Sequence, residues 1–249
     1  MKKNGVYLPF RPRNGNDNMD LDERLLNFAI QNEWDVPVLR FYGWSPACVS
    51  LGRNQEDTCV NKKYCEQQGI DIVRRITGGR ALFHDDELTY SFICPVSYLK
   101  NGETIIQSYK EISGAIAQGF KKLGIDVQLP SEKRVSTHFE YCMSLATGAD
   151  LSVDGKKLVG SAQFRKKGYI LQHGSILYTY DKEKIEKIFS EKPSDDKIAL
   201  LKQLIPDITG AKLCEALKAG FEDYFDIIFE PVRLQDQSEE FLLRQDICV

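Results

Sequence analysis

Ala149-Asp150-Leu151-Ser152-Val153-Asp154-Gly155-Lys156-Lys157-Leu158-Val159-Gly160-Ser161-Ala162-Gln163-Phe164 is the stretch whose reading decides the fold. An Asp-Gly pair between two strand-like runs marks a two-residue hairpin, because both turn positions need positive φ and these residues tolerate it. Strands are therefore expected over Ala149–Val153 and Lys157–Phe164. Lys167-Gly168 makes a second break, and a further hairpin partner follows from Tyr169 to Tyr178. Upstream, a strand opens after Pro37 over Val38–Tyr42, and another passes through Val49 and Leu51. Ile70–Arg75 alternates apolar and polar residues, Thr77-Gly78-Gly79 turns the chain, and strands follow near Ala81–His84 and Leu88–Cys94.

Helices interrupt and follow these strands. Asn18–Gln31, with Leu21, Leu25, Phe28 and Ala29 on one face, and Val60–Gln68, stopped by Gly69, read as helical. Glu103–Leu123 is the long amphipathic one, with Ile105, Tyr109, Ile112, Ile116 and Phe120 at helical spacing. From about residue 181 the pattern is mainly helical: Lys182–Phe189, Ile198–Leu204 and Ala211–Asp226. A short strand and a terminal helix are expected after Pro231. Hairpin strands with helices between and after them indicate an α+β fold: a mixed, largely antiparallel sheet with packed helices, in a single domain over residues 1–249. A doubly wound nucleotide fold fits poorly, because a regular βαβ alternation is missing.

The composition, 42% hydrophobic and 28% charged over 249 residues, suits a globular chain with a substantial core. Met1–Arg13 has no apolar h-region and no run approaches bilayer-spanning length, so a cytoplasmic protein without membrane association is expected. The net charge of −3 argues against a general nucleic-acid binder. Charge is nevertheless uneven. Lys156–Tyr180 holds no acidic residue, and Arg74, Arg75 and Arg80 form a second basic group. Such clusters suit an acidic or phosphate-bearing partner, or else a hairpin edge guarded by lysines.

The seven cysteines are scattered without CxxC pairing, which suggests neither disulfides nor a zinc site. Cys142 precedes the basic hairpin that brings in Lys157, and a thiolate needs such positive charge; on spacing alone, a buried inert thiol accounts for it better. Arg75, Thr77, Gly78 and Gly79 follow a strand directly, so their backbone can approach a carbonyl or phosphate oxygen. A plain tight hairpin is the alternative. His84 beside Asp85, Asp86 and Glu87 invites a metal reading, but strand alternation favours a solvated acidic loop. His173-Gly174 opens a strand opposite Gly160-Ser161-Ala162-Gln163, and a core histidine is the default there. His138 carries little weight.

Together these segments resemble a known family. Leu39-Arg40-Phe41-Tyr42-Gly43-Trp44, Ser50-Leu51-Gly52-Arg53-Asn54-Gln55, Arg74–Ala81 with His84, Gly155–Gln163 and His173–Leu177 look like the lipoate–protein ligase and octanoyltransferase family. The resemblance implies a biotin/lipoate ligase (class II synthetase-like) catalytic domain. Cysteine-dependent transferases of the family, the LipM type, place a nucleophilic cysteine fifteen residues before the motif lysine, the separation of Cys142 and Lys157. Met143–Gly148 departs from their pattern in lacking proline and aromatic residues. The implied reaction passes octanoyl from acyl carrier protein through a Cys142 thioester to a lysine of a lipoyl domain of a 2-oxo acid dehydrogenase, or of the glycine-cleavage H protein. Lys157 would support the thiolate. Arg75, Thr77, Gly78, Gly79, His84, Gly160, Ser161, Gln163, His173 and Gly174 would bind substrate, and no metal or cofactor is expected. An ATP- and Mg-dependent lipoate ligase is the principal rival; an H-protein-dependent amidotransferase and a non-enzymatic acyl-binding protein are the others. No separate accessory domain of the kind many ligases add is expected in a chain of this length.

Overall fold

Two tight turns set the register at one edge of the main sheet. Asp154 and Gly155 have φ of 50° and 75°, and Lys167 and Gly168 have 48° and 80°. Paired positive φ values give two-residue turns whose twist matches that of the joined strands. The computed structural model describes residues 3–129, 150–189 and 195–232. Its elements begin with β1 (Lys3–Arg13), α1 (Gly15–Gln31), β2 (Val38–Trp44), β3 (Cys48–Leu51), α2 (Lys62–Gln68) and β4 (Asp71–Arg74). Next come β5 (Leu82–His84), β6 (Glu87–Pro95), α3 (Ile105–Lys122), β7 (Leu151–Val153), β8 (Lys156–Lys166) and β9 (Tyr169–Leu177). The last are α4 (Lys182–Phe189), α5 (Leu201–Leu204), α6 (Gly210–Phe225) and β10 (Ile227–Pro231).

A seven-stranded sheet runs β10-β1-β2-β6-β9-β8-β7, and a three-stranded sheet runs β4-β3-β5. β1 is parallel to both β2 and β10, whereas β2, β6, β9, β8 and β7 pair antiparallel in turn. The expected α+β fold with a mixed, largely antiparallel sheet is thus observed. Register places Tyr42, Thr89, Ser175 and Gly160 in one cross-strand row, and Arg40, Ser91, His173 and Ala162 in the next.

Helices α3 and α6 cover one side of the main sheet, burying Ile112, Ile116, Phe120, Leu217 and Phe221 against Phe41 and Phe92. Leu21, Leu25 and Leu26 of α1 pack with Val38, Ile93 and Leu171 in a separate cluster. The small sheet shares a third cluster, Val49, Leu82, Phe83, Ile185 and Ile188, with α4. Among the described residues no helix is long and apolar enough to cross a membrane.

Several sequence boundaries move. The sheet opens at β1 rather than at Val38; two prolines in Lys3–Arg13 hide it. Register between β1 and β2 shifts between Leu8 and Arg11, so Pro9 sits at an irregularity where the missing N–H forfeits no ladder bond. α1 starts before Asn18, because the Asn14 side chain caps it by accepting from Asp17 N–H. Asn18 is instead buried, donating to the carbonyls of Arg13 and Gly43. β10, which ends at Pro231 and lies beside β1, was not expected, and the strand expected after Pro231 falls outside the described residues. The expected terminal helix falls outside the described residues.

Candidate active site

The cavity of interest, about 240 Å³, is lined by residues of both sheets and of two helices. From the small sheet and its loop come Ser50, Leu82, His84, Arg75, Gly78 and Gly79. The main sheet supplies Tyr42, Trp44, Thr89, Gly160, Ser161, Ala162, Gln163, His173, Gly174 and Ser175. Met19 of α1, Tyr109 of α3 and Asp150 complete the wall. The cavity therefore meets β8 where β7, which pairs with only its first residues, has ended.

Arg75 shapes the loop that forms one wall. Its Nη1 donates to Ser50 O at 2.9 Å, and its Nη2 donates to Gly78 O at 2.9 Å and Arg80 O at 2.7 Å. Arg74 Nη1 donates to the carbonyls of Gly52 and Gln55. A Cβ on Gly52 would overlap the Gly79 carbonyl oxygen, so glycine there lets β3 and the loop touch backbone to backbone. Both arginines therefore bind carbonyls of their own fold. Buried Arg75 is thereby withdrawn from the surface, whereas Arg74 is exposed and keeps its charge there.

The Lys156–Lys167 cluster is also divided. Lys156 and Lys167 are exposed, whereas Lys157 is 2% exposed with Nζ 3.1 Å from Asp150 Oδ2. Arg165 turns to the carbonyls of Gly102, Glu103 and Thr104. Alternation along β8 separates charges that are contiguous in sequence.

Each histidine on the wall is set between a carboxylate and a hydroxyl. His84 Nδ1 is 2.9 Å from Glu87 Oε1, its Nε2 is 2.7 Å from Ser50 Oγ, and its ring stacks on Trp44 at 3.9 Å. Thr89 and Ser175 also donate to Glu87 Oε1. The acidic run therefore splits: Asp85 and Asp86 meet Lys184 and Lys202 near solvent, and Glu87 is buried. His173 Nδ1 is 3.2 Å from Asp22 Oδ2 and its Nε2 is 2.7 Å from Thr77 Oγ1. Burial pushes His173 below its ordinary value, against the contrary pull of Asp22. A neutral ring donating from Nδ1 to Asp22 must accept from Thr77 at Nε2. Burial would raise the Asp22 carboxyl, but the Arg40 guanidinium and His173 hold it below the usual carboxylate range. Because these polar atoms bind one another, the wall a ligand meets is mostly carbon. Such a slot suits a slim apolar chain, and its volume lies below the roughly 300–1,000 Å³ common for drug-sized ligands.

Nine of the residues expected to bind substrate, Arg75, Gly78, Gly79, His84, Gly160, Ser161, Gln163, His173 and Gly174, line this one cavity. Thr77 stands behind it, holding His173. Lys157 is not on the wall but is tied to Asp150, which is. Cys142 and His138 lie outside the described residues. The sequence reading missed Asp150, although regular pairing back from Asp154-Gly155 makes it a diagonal neighbour of Lys157. Met19 and Tyr109 carry no local signal, because only packing brings their helices here.

Residues 14–222 match the model of the lipoyl protein ligase A/B catalytic domain. The chain is 36% identical over 229 residues to octanoyltransferase LipM of Carboxydothermus hydrogenoformans, covering 86% of this chain and 84% of that one. It is likewise 36% identical over 240 residues to octanoyltransferase LipM of Staphylococcus aureus, covering 88% and 86%. A solved bi-partite lipoate protein ligase from Thermoplasma acidophilum, studied with its E2 lipoyl domain, superposes with a TM-score of 0.71 at 23% identity, over 99% of this chain and 100% of that one; this likeness concerns the fold. The paired hairpins, the glycine loop held by Arg75 and the carbon-walled slot thus belong to a chain that is a member of the lipoyl protein ligase A/B catalytic-domain family, among its LipM octanoyltransferases.

Proposed function

We propose that this enzyme transfers an octanoyl group from a carrier-protein thioester to a lysine of a lipoyl domain or H protein, in lipoate biosynthesis in the cytoplasm. The observation that carries the reading is similarity to octanoyltransferases over most of the chain, together with a carbon-walled slot of matching slimness. In the first step the Cys142 thiolate attacks the thioester carbonyl, and the carrier thiol leaves with a proton. In the second, the acceptor lysine amine attacks octanoyl-Cys142, forming the amide, releasing the thiolate and giving up a proton. A thioester donor is already activated, so no ATP is consumed. Lys157, buried beside Asp150 behind the wall, is assigned to support the Cys142 thiolate.

The test omits ATP. Octanoyl carrier protein and a lipoyl domain are mixed with the enzyme, and intact masses are recorded. Wild-type protein is expected to acylate itself at Cys142 and then the acceptor, and Cys142→Ala to lose both. Activity that requires ATP and survives Cys142→Ala would make this a ligase.

A further inference from the structure

A chain of hydrogen bonds runs from Arg165 to the cavity through the sheet. Arg165 Nε donates to Gln163 Oε1 at 3.2 Å, Gln163 Nε2 to Gln172 Oε1 at 3.0 Å, and Gln172 Nε2 to the Tyr90 hydroxyl at 2.9 Å. The Tyr90 and Ser161 hydroxyl oxygens are 2.8 Å apart. The two ends of a glutamine amide are alike in shape, so the direction of such a chain is ordinarily open. A guanidinium closes the question, because it has five donors and no acceptor. Gln163 must show its oxygen to Arg165 and hence its nitrogen to Gln172. Gln172 must then show its nitrogen to Tyr90. The Tyr90 oxygen is occupied as an acceptor, and its proton is left for Ser161 Oγ. Burial pushes Tyr90 up to about 12, so that proton is present at neutral pH.

The two ends of the chain are anchored. Arg165 Nη1 donates to Glu103 O at 2.8 Å and Nη2 to Ser108 Oγ at 3.2 Å, and the Ser108 hydroxyl donates to Ile105 O at 2.9 Å. At the other end, a Cβ on Gly174 would lie 2.7 Å from Ser161 Oγ and 2.7 Å from Tyr90 Cε1, so glycine is what leaves space for the last link. Ser161 lines the cavity, and its own hydrogen is the one the chain does not consume.

Resting on the reading that the cavity holds an acyl thioester, we propose that Ser161 donates its hydroxyl hydrogen to the acyl carbonyl oxygen. Tyr90, Gln172, Gln163 and Arg165 are the positioning residues that turn that hydrogen into the cavity. The carbonyl oxygen gains negative charge as Cys142 or the acceptor amine adds to the carbon, and a donor oriented in advance stabilises that charge without reorganisation. Bonds that all run one way also polarise one another, so Ser161 is a better donor than an isolated serine.

The experiment measures transfer from octanoyl carrier protein to a lipoyl domain with full-length protein. Ser161→Ala is expected to lower kcat by about 10²-fold, the usual loss for one such donor, with KM little changed. Ser161→Thr, which keeps the hydroxyl, should recover part of that loss. Tyr90→Phe should lower kcat less, and the Ser161→Ala/Tyr90→Phe double variant should be no slower than Ser161→Ala alone, because Tyr90 acts only through Ser161. A structural role for Tyr90 would instead give multiplying losses, and that result overturns the proposal, as does an unchanged kcat in Ser161→Ala. Should Tyr90→Phe not fold, Gln172→Leu enters the same comparison. If wild-type protein transfers nothing from the thioester donor, it is the transferase reading that falls.

Discussion

His173 is a residue in which burial and charge compete, and burial wins: its ring is held below its ordinary pKa despite Asp22 at 3.2 Å. A group whose folded pKa is depressed adds stability that is complete above its unfolded pKa and is lost as pH falls toward the folded one. For histidine that loss begins near pH 6.5. Asp22, also depressed, contributes in the same direction but only below about its ordinary 3.8. The melting temperature should therefore be level above neutrality and fall on acidification from about pH 6.5, by at most ~1.4 kcal/mol of stability per pH unit for one proton. His173→Gln should flatten this first decline and leave the one near pH 4. An unaltered decline between pH 5 and 6.5 in the variant would assign the proton elsewhere. The sequence reading named His173 as substrate-binding while keeping a core histidine as default; the residue is both buried and on the wall. Its bonds to Asp22 and Thr77 come from residues 151 and 96 positions away, which no local pattern reveals.

At the scale of elements, α3 and α6 cross at two glycines. A Cβ on Gly220 would overlap the Gly119 backbone nitrogen, and one on Gly119 would lie 2.8 Å from Leu217 Cα. Two effects oppose each other in Gly220→Ala. Alanine favours a helix over glycine by about 1 kcal/mol, whereas overpacking costs about 1–3 kcal/mol. The overlapped atoms are backbone and cannot rotate away, so overlap should win. A lower denaturant midpoint at unchanged m-value is the expected result, and a higher midpoint would show that the helices part without penalty. Neither glycine was marked in the sequence, whose helical spacing for residues 103–123 described one face only. The hairpins were legible because their turns are local: Asp154-Gly155 and Lys167-Gly168 specify their geometry within two residues. β1 was not, since its partners, β2 and β10, are remote and parallel.

The whole molecule makes its slot by setting the small sheet's glycine loop against the stretch of β8 that follows its pairing with β7. Octanoate at saturation should therefore slow amide exchange in residues 75–79 and 160–163 together. It should also raise stability, by about 2.7 kcal/mol at a hundredfold excess over Kd. Protection on one side only would show that the two sheets do not share a ligand. The family, the α+β class and nine of the nineteen residues of the cavity wall were readable in the ordered motifs, because turns, glycines and strand periodicity act over a few residues and leave a linear trace. The direction taken by each charge was not. Arg74, Arg75 and Arg165 look like a basic surface in one dimension, yet each binds carbonyls of remote segments, and Lys157 turns inward to Asp150. Which acceptor a long cationic side chain reaches depends on what packing brings within a few ångströms of it. A buried carbonyl or carboxylate must be satisfied wherever the fold leaves it, and that location exists only once the sheets have met.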